Sequence, residues 1–160
     1  MEKTNALRIL DKAKIPTIIH TYESDGMALD AIEVAQRLHQ PIDKVYKTLI
    51  VIGASHMYYV LVINGADEID LKKAAVHLHE KNIEMIPVSE LLSVTGYVRG
   101  GCSPIGMKKN YVTFFDQKIA HMETVLVSAG RIGQQMEIEV DALIRIVQGH
   151  LADLVKAKVS

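Results

Sequence analysis

One segment of this 160-residue chain concentrates the residue types that bind ligands through the backbone. It spans positions 95–109, reads TGYVRGGCSPIGMKK, and contains the consecutive glycines Gly100 and Gly101, followed by Ser103 and Pro104. A glycine pair lets the backbone approach a ligand closely, and its amides can then point at an anion or a developing oxyanion. A tight structural turn is the alternative, but the segment is long and rich in glycine for that role. We therefore predict an ordered loop that forms part of a binding pocket.

A second glycine-containing segment, SAGRIG at positions 128–133, includes Ser128 and Gly130 and lies between two predicted strands. Its glycines could simply close a hairpin. Its similarity in kind to the first loop makes it a candidate for the opposite wall of the same pocket.

The third candidate is Lys47, in the apolar stretch VYKTLIVIG. A lysine that points inward from a strand must find partners or shift its pKa, and such lysines are often functional. The alternative is a lysine whose ammonium group reaches solvent from the end of the strand.

Standard catalytic signatures are missing from the sequence. It has no nucleophile elbow, phosphate-binding loop or zinc-ligand spacing, and its seven histidines are scattered, so we expect neither a metal nor another cofactor. Cys102 lies close in sequence to Arg99, Lys108 and Lys109, which would favour a thiolate. We favour the alternative, in which this thiol packs as a small hydrophobic group.

Composition indicates an ordinary globular domain. Hydrophobic residues make up 49% of the chain and charged residues 23%, with a net charge of −1, so there is apolar material for one core but no general basic surface for nucleic acid. The sequence shows no signal peptide or membrane-spanning run, and its single cysteine cannot form an internal disulfide. We expect a cytoplasmic protein that contacts no membrane.

The elements that must position these residues alternate irregularly between helix and strand. Helices are predicted to begin near positions 5, 30, 70, 89 and 141, and strands over 17–22, 45–52, 58–63, 84–88, 111–116, 124–127 and 136–140. Asp30 and Glu33 form a capping-box pattern, and Asp141 is expected to cap the last helix. The two runs at 45–52 and 58–63 predict a hairpin. This mixture predicts a mixed α/β fold with about seven strands in a curled sheet, and not a doubly wound parallel sheet.

Four segments occur together in one order: VYKTL at 45–49, IDLKKAA at 69–75, TGYVRGGCSPIGMKK at 95–109 and VSAGRIGQQ at 127–135. In this combination the chain resembles the YbaK/EbsC family of Cys-tRNA(Pro) deacylases, which is related to the editing domain of bacterial prolyl-tRNA synthetases. The resemblance runs from about position 20 to the C-terminal helix, and it implies that positions 1–160 form a single editing domain with a barrel-like core surrounded by helices.

The resemblance also implies a reaction, partners and site residues. The reaction is hydrolysis of the ester that joins a small amino acid to the tRNA 3′ end, with the thiol of the substrate cysteine as nucleophile, and the implied partners are mischarged tRNA(Pro) and prolyl-tRNA synthetase. Lys47 matches the essential lysine of the family. Residues that match its substrate-binding positions are Tyr22, Gly100, Gly101, Ser103, Pro104, Ser128 and Gly130. The chain departs from many relatives at Cys102 and Gln135, to which no catalytic role is transferred.

Three alternatives stay open at this stage. The preferred substrate could be another mischarged tRNA such as Ala-tRNA(Pro), because small pockets discriminate weakly between amino acids of similar size. The chain could instead be a non-catalytic module that binds tRNA or a synthetase, or a hydrolase that depends on Cys102. Candidate contacts to the tRNA backbone are Lys72, Lys73, Lys108, Lys109 and Arg131.

Overall fold

The computed structural model describes residues 2–158 and contains five α-helices and eight strands. The helices are α1 (Asn5–Lys12), α2 (Ala31–Leu38), α3 (Leu71–His77), α4 (Val88–Thr95) and α5 (Val140–Ile146). The strands are β1 (Ile18–Thr21), β2 (Tyr46–Gly53), β3 (Tyr58–Asn64), β4 (Ile83–Met85), β5 (Val112–Asp116), β6 (Thr124–Arg131), β7 (Gln134–Glu139) and β8 (His150–Ala152). Two 3-10 turns, Ile42–Lys44 and Gln117–His121, precede β2 and β6. Within residues 2–158, no helix combines the length and the apolarity that a bilayer-spanning segment needs.

The strands form two open sheets, which we call the large and the small sheet. The large sheet has the order β4-β2-β3-β5-β8, and the small sheet has the antiparallel order β1-β7-β6. The predicted hairpin is confirmed, since β2 and β3 pair in antiparallel register from Tyr46↔Asn64 to Ile52↔Tyr58. The mixed character is confirmed too, because β3 pairs with β5, and β5 with β8, in parallel.

The expected barrel-like core is corrected in two respects. The structure has eight strands where about seven were expected, and among residues 2–158 the bridge between Val45 and Leu126 is the only backbone pairing that links the two sheets, which do not close into a barrel. The additional strand, β8, is three residues long. So short a segment shows no period-two pattern in the sequence, and it is a strand only because β5 offers it a parallel edge.

Side-chain caps set the starts of three helices. The side chain of Thr4 accepts a hydrogen bond from the Leu7 amide, that of Asp30 from Glu33, and Asp70 caps α3 in the same way. The prediction that Asp141 caps the last helix was wrong. Glu139 occupies the N-cap position of α5 and makes no side-chain cap bond. Asp141 lies in the first turn, where its negative charge interacts favourably with the positive end of the helix dipole.

The main core lies between one face of the small sheet and the large sheet. Alternate residues of β6 and β7 are fully buried there, including Val125, Val127 and Met136, and they share a cluster with Phe115 of β5. The intervening residues face the other way. On that side of the small sheet, Leu126 packs against Ala35 of α2 and against Val45. These three residues form a small buried cluster opposite the main core.

The side chain of Glu137 in β7 connects this opposite face of the small sheet to neighbouring elements. Its carboxylate lies 2.6 Å from Lys44 Nζ and 2.9 Å from His20 Nε2, and it accepts a hydrogen bond of 2.9 Å from the Thr124 hydroxyl. The hydrogen bond from Lys44, followed by those from His20 and Thr124, lowers the pKa of Glu137 to about 2, against the opposing effect of partial burial. One side chain thus joins β1, β6, β7 and the turn that leads into β2.

Replacing this carboxylate by the neutral amide in Glu137→Gln should destabilise the fold by about 1–2 kcal/mol at pH 7, because a largely buried, multiply bonded charge is lost. Urea unfolding monitored by circular dichroism measures this loss. A pKa lowered from 4.5 to about 2 stabilises the folded state above pH 4.5, and this contribution disappears as the pH falls toward about 2. The difference between wild type and variant should therefore shrink over that interval.

Glu139→Gln is the matched control, because it removes the same charge from an exposed position of the same strand. Two results would contradict the stabilising role of Glu137. One is an equally large loss of unfolding free energy in Glu139→Gln, and the other is a difference between wild type and Glu137→Gln that stays unchanged down to about pH 2.

Candidate active site

A cavity of about 410 Å³ opens on the side of the small sheet that carries Leu126. Five parts of the chain line it: the segment that enters α2 together with that helix, strand β2 with the preceding Val45, Gly65 after β3, the turn around Gly100, and the small sheet through Ser128 and Gln135. Its volume is in the range of small-molecule sites. Both sheets therefore contribute to the same concave surface.

Lys47 belongs to the wall of this cavity and does not extend from a strand end into solvent. Its side chain is half-buried, and its ammonium group donates to the Gly65 carbonyl over 3.3 Å. Gly65 is close to α2, because a Cβ there would lie 2.3 Å from the Cβ of Ala31. An ammonium group has three N–H donors, so one long bond leaves Lys47 with donors for a ligand.

The glycine-rich loop reaches the cavity through a tight turn. The Gly101 amide donates to the Val98 carbonyl over 2.9 Å, and Gly100 adopts a φ of +83°, which is the geometry of a type II turn with glycine at its third position. A Cβ on Gly100 would lie 2.8 Å from the Cβ of Ala28, just before α2. Only glycine satisfies both the backbone angle and this close approach.

The two glycine-containing segments form adjoining walls. A Cβ on Gly101 would lie 3.0 Å from the Cα of Arg131 and 3.0 Å from the Ile132 amide nitrogen, so the loop rests on the end of β6. Ser128 lines the cavity, whereas Gly130 packs against Thr4 and Tyr97. Of the second segment, Ser128 thus lines the same cavity as the first loop, and the two segments lie side by side where opposite walls were expected.

The remaining predicted residues lie outside the cavity lining. Tyr22 follows β1 and its amide donates to the Gly133 carbonyl over 3.0 Å. Ser103 is fully buried, and its hydroxyl accepts a hydrogen bond from the Ile105 amide over 3.3 Å, which closes a local turn. Pro104 lines a separate cavity of about 310 Å³ that also contacts Ile9. Of the eight predicted residues, the structure brings Lys47, Gly100 and Ser128 to the cavity.

Backbone donors are available beside Lys47. The amide of Gly101 is used in the turn, but within residues 2–158 the amides of Gly100 and Cys102 donate to no carbonyl. Both residues line the cavity. Free amides at a pocket wall can bind a carbonyl oxygen as it becomes negatively charged.

Two lining residues that were not predicted as site residues carry buried polar atoms without a partner among residues 2–158. Gln135 is 6% exposed and pairs with Ser128 across the small sheet, and its side-chain oxygen is buried with no partner among residues 2–158. In the described part of the chain, the hydroxyl oxygen of Thr48 in β2 is also buried without a partner. Such groups cost free energy, and a polar ligand that bound them would recover part of this cost. The signal for Gln135 was its position directly before the predicted strand, since extending that strand by one residue puts Gln135 on the face opposite Met136.

The cavity is locally positive although the chain is not. Its charged lining residues are Lys47, Arg99 and Asp30, two cations and one anion, which gives a formal charge of +1 against −1 for the whole chain. Arg99 had been considered only as a neighbour of Cys102. The structure places it at the cavity itself.

Cys102 lines the cavity but is buried, with 8% exposure. Burial raises the pKa of its thiol from 9.0 to about 11, and the hydrogen bond with Thr95 offsets only part of this effect. Desolvation thus affects the pKa of Cys102 more strongly than the cationic residues that lie nearby in the sequence. The group is a neutral thiol at physiological pH, which disfavours a role as nucleophile.

The fold and the site together define a compact α/β domain with a small, cation-bearing cavity for a ligand that has an electrophilic or anionic centre. Residues 27–146 match the model of the aminoacyl-tRNA editing domain. The chain belongs to this family.

Comparisons with individual proteins agree. The chain is 36% identical over 153 residues to a protein of Enterococcus faecalis that carries the provisional name Cys-tRNA(Pro)/Cys-tRNA(Cys) deacylase EbsC, covering 96% of this chain and 93% of that protein. It is 31% identical over 104 residues to a proline–tRNA ligase of Acidithiobacillus ferrooxidans, covering 65% of this chain and 18% of the ligase. A solved structure provisionally described as a trans-editing enzyme for prolyl-tRNA synthetase superimposes with a TM-score of 0.82 at 18% identity, over 98% of this chain and all of that one. This last likeness shows the shared fold.

The state of Cys102 can be measured by alkylation. A shift of the pKa from 9.0 to about 11 lowers the thiolate fraction at pH 8 about a hundredfold. Iodoacetamide should therefore modify the folded protein at least tenfold more slowly than the urea-unfolded protein, as followed by mass spectrometry. Cys102→Ala supplies the control without a reactive thiol. Equal rates in the folded and unfolded states would mean that Cys102 is an accessible, reactive thiol.

Proposed function

We propose that this chain is an aminoacyl-tRNA deacylase that cleaves the ester between cysteine and the terminal ribose of tRNA(Pro). Family membership supports the reaction class. The relative from Enterococcus faecalis, which is matched over nearly its full length, bears a name that specifies cysteinyl-tRNA as substrate. The match to part of a proline–tRNA ligase supports tRNA(Pro) as the context.

The observation that carries the proposal is a set of donor-bearing residues that line one cavity. Lys47, Gly100 and Cys102 all belong to the lining, and within residues 2–158 the amides of Gly100 and Cys102 donate to no carbonyl. When an ester carbonyl is attacked, its oxygen becomes negatively charged, and donors that are already in place stabilise this charge more than they stabilise the neutral ester. The site is therefore suited to acyl transfer.

The same lining does not supply a conventional nucleophile. It contains the hydroxyls of Thr48 and Ser128 and the thiol of Cys102, but within residues 2–158 no histidine lines it to act as their base. Serine and threonine hydroxyls need such a base, and Cys102 is held neutral by burial. We infer that the nucleophile comes from the substrate.

A cysteinyl ester brings its own thiol. In the proposed reaction the substrate sulfur bonds to the carbonyl carbon, the bond from this carbon to the ribose oxygen breaks, and the thiol proton is transferred to that oxygen. Water then opens the resulting cyclic thioester and releases free cysteine. Lys47 and the two amides would stabilise the oxyanion of the first step.

Recognition of tRNA identity is proposed to depend on prolyl-tRNA synthetase. The net charge of −1 provides no general attraction for tRNA. Of the basic residues considered as backbone contacts, Lys73 forms an ion pair with Asp153 at 3.0 Å and Arg131 donates to the Glu2 carbonyl over 2.6 Å. A partner that holds the rest of the tRNA would offset this weak attraction, and both proteins would act in the cytoplasm.

Lys47→Ala should lower kcat/KM for Cys-tRNA(Pro) at least a hundredfold, since loss of one preorganised donor to an oxyanion costs about 10²–10³. Release of labelled cysteine measures the rate, with Ala-tRNA(Pro), Ser-tRNA(Pro) and Pro-tRNA(Pro) as parallel substrates. Wild type should spare these three, because none of them carries a thiol.

Lys81→Ala, which removes an exposed lysine outside the cavity lining, is the matched control and should retain wild-type rates. Efficient cleavage of Ala-tRNA(Pro) would exclude the substrate-thiol mechanism. Stability of all four substrates, with prolyl-tRNA synthetase added, would show that the chain binds without catalysing this reaction.

A further inference from the structure

Arg99 is the feature of the cavity that the proposed reaction does not use. It occupies the second position of the type II turn formed by residues 98–101, where the Gly101 amide binds the Val98 carbonyl. The two glycines that follow Arg99 pack closely against other parts of the chain, on two sides of the turn. Gly100 abuts Ala28, and Gly101 abuts the backbone of Arg131. The backbone that carries Arg99 is therefore held in place from both sides.

The guanidinium group itself is free. Arg99 is exposed, and within residues 2–158 its side chain forms neither a hydrogen bond nor an ion pair. Asp30, the carboxylate of the same lining, caps α2 by accepting the Glu33 amide over 2.8 Å and does not pair with Arg99. An arginine on a fixed turn beside a cavity, with all its donors available, is suited to binding an anion that accompanies the ligand.

The chemistry of the ligand identifies this anion. If the proposed function holds, the cysteinyl ester occupies the cavity and its ribose lies at the mouth. The 5′ oxygen of that ribose carries the last phosphodiester of the tRNA, which is the negative charge nearest to the ester. We propose that Arg99 binds this phosphate and forms a subsite that places the ester against Lys47.

The geometry separates the roles of the two cations. Lys47 is half-buried and already bonded to the Gly65 carbonyl, as suits a group that acts on the acyl centre inside the cavity. Arg99 is exposed, and its planar guanidinium can bind two oxygens of one phosphate, which the ammonium of a lysine cannot match.

The test compares two small substrates that differ only in this phosphate: cysteinyl-adenosine with a free 5′-hydroxyl and the same ester with a 5′-phosphate. Arg99→Ala should lower kcat/KM for the phosphorylated ester about tenfold or more and should leave the other ester within about twofold. Arg99→Lys should fall between Arg99→Ala and wild type. On cysteinyl-tRNA(Pro), Arg99→Ala should also reduce the slope of log kcat/KM against log salt by about 0.7, which corresponds to one contact on a single strand.

Arg145→Ala is the matched control, because Arg145 is an exposed arginine of α5 outside the cavity lining. Equal losses of kcat/KM by Arg99→Ala on both esters, or no loss on either, would overturn the phosphate subsite.

If wild type cleaves neither ester nor cysteinyl-tRNA(Pro), the proposed function fails. Binding of amide-linked, hydrolysis-resistant analogues with and without the 5′-phosphate, measured by calorimetry on wild type and Arg99→Ala, still decides the role of Arg99. A phosphate-dependent gain in affinity that Arg99→Ala removes supports the subsite, and its absence refutes it.

Discussion

A side chain at position 101 would place its first carbon 3.0 Å from the Cα of Arg131 and from the Ile132 amide nitrogen. Backbone atoms cannot yield as the end of a side chain can, so the turn and the end of β6 approach this closely only because residue 101 is glycine. Through that approach, Gly100 and Cys102 line the same cavity as Ser128. The assembly of the site thus depends on a backbone contact outside the cavity lining.

The small sheet shows how the fold combines stability with a polar site. Its alternating side chains put Val127 and Met136 into the main core, where both are fully buried, and put Ser128 and Gln135 on the opposite face. A one-residue shift of register would exchange these two sets. Glu137 lies two residues beyond Gln135 on the same face, and its bonds to neighbouring elements resist such a shift at the strand that carries the site.

The sequence was most informative where a local rule decides the structure. The cap at Asp30 and the β2–β3 hairpin follow from short-range chemistry, and both were predicted. Contacts between distant segments were not accessible in this way. Ser103 was expected at the pocket because it matches a substrate-binding position of the family that the sequence resembles, but its hydroxyl closes a turn with Ile105. Arg99 reaches the cavity through the packing of α2 and the small sheet on the loop, which no local pattern encodes.

Burial decides the protonation state of Cys102, which the charged residues nearby in the sequence left open. Counted along the sequence, the neighbouring cations favour a thiolate, but removing the sulfur from water opposes charge more strongly, and the pKa of Cys102 rises to about 11. Charge is also distributed unevenly over the molecule, because Lys47 and Arg99 give the cavity a formal charge of +1 in a chain with a net charge of −1. Charge that is confined to one concave surface attracts an anionic end without attracting nucleic acid in general. In the proposed function, such a domain would have little hold on the body of a tRNA, and its selectivity would rest on the acyl group, the terminal nucleotide and a partner that presents them.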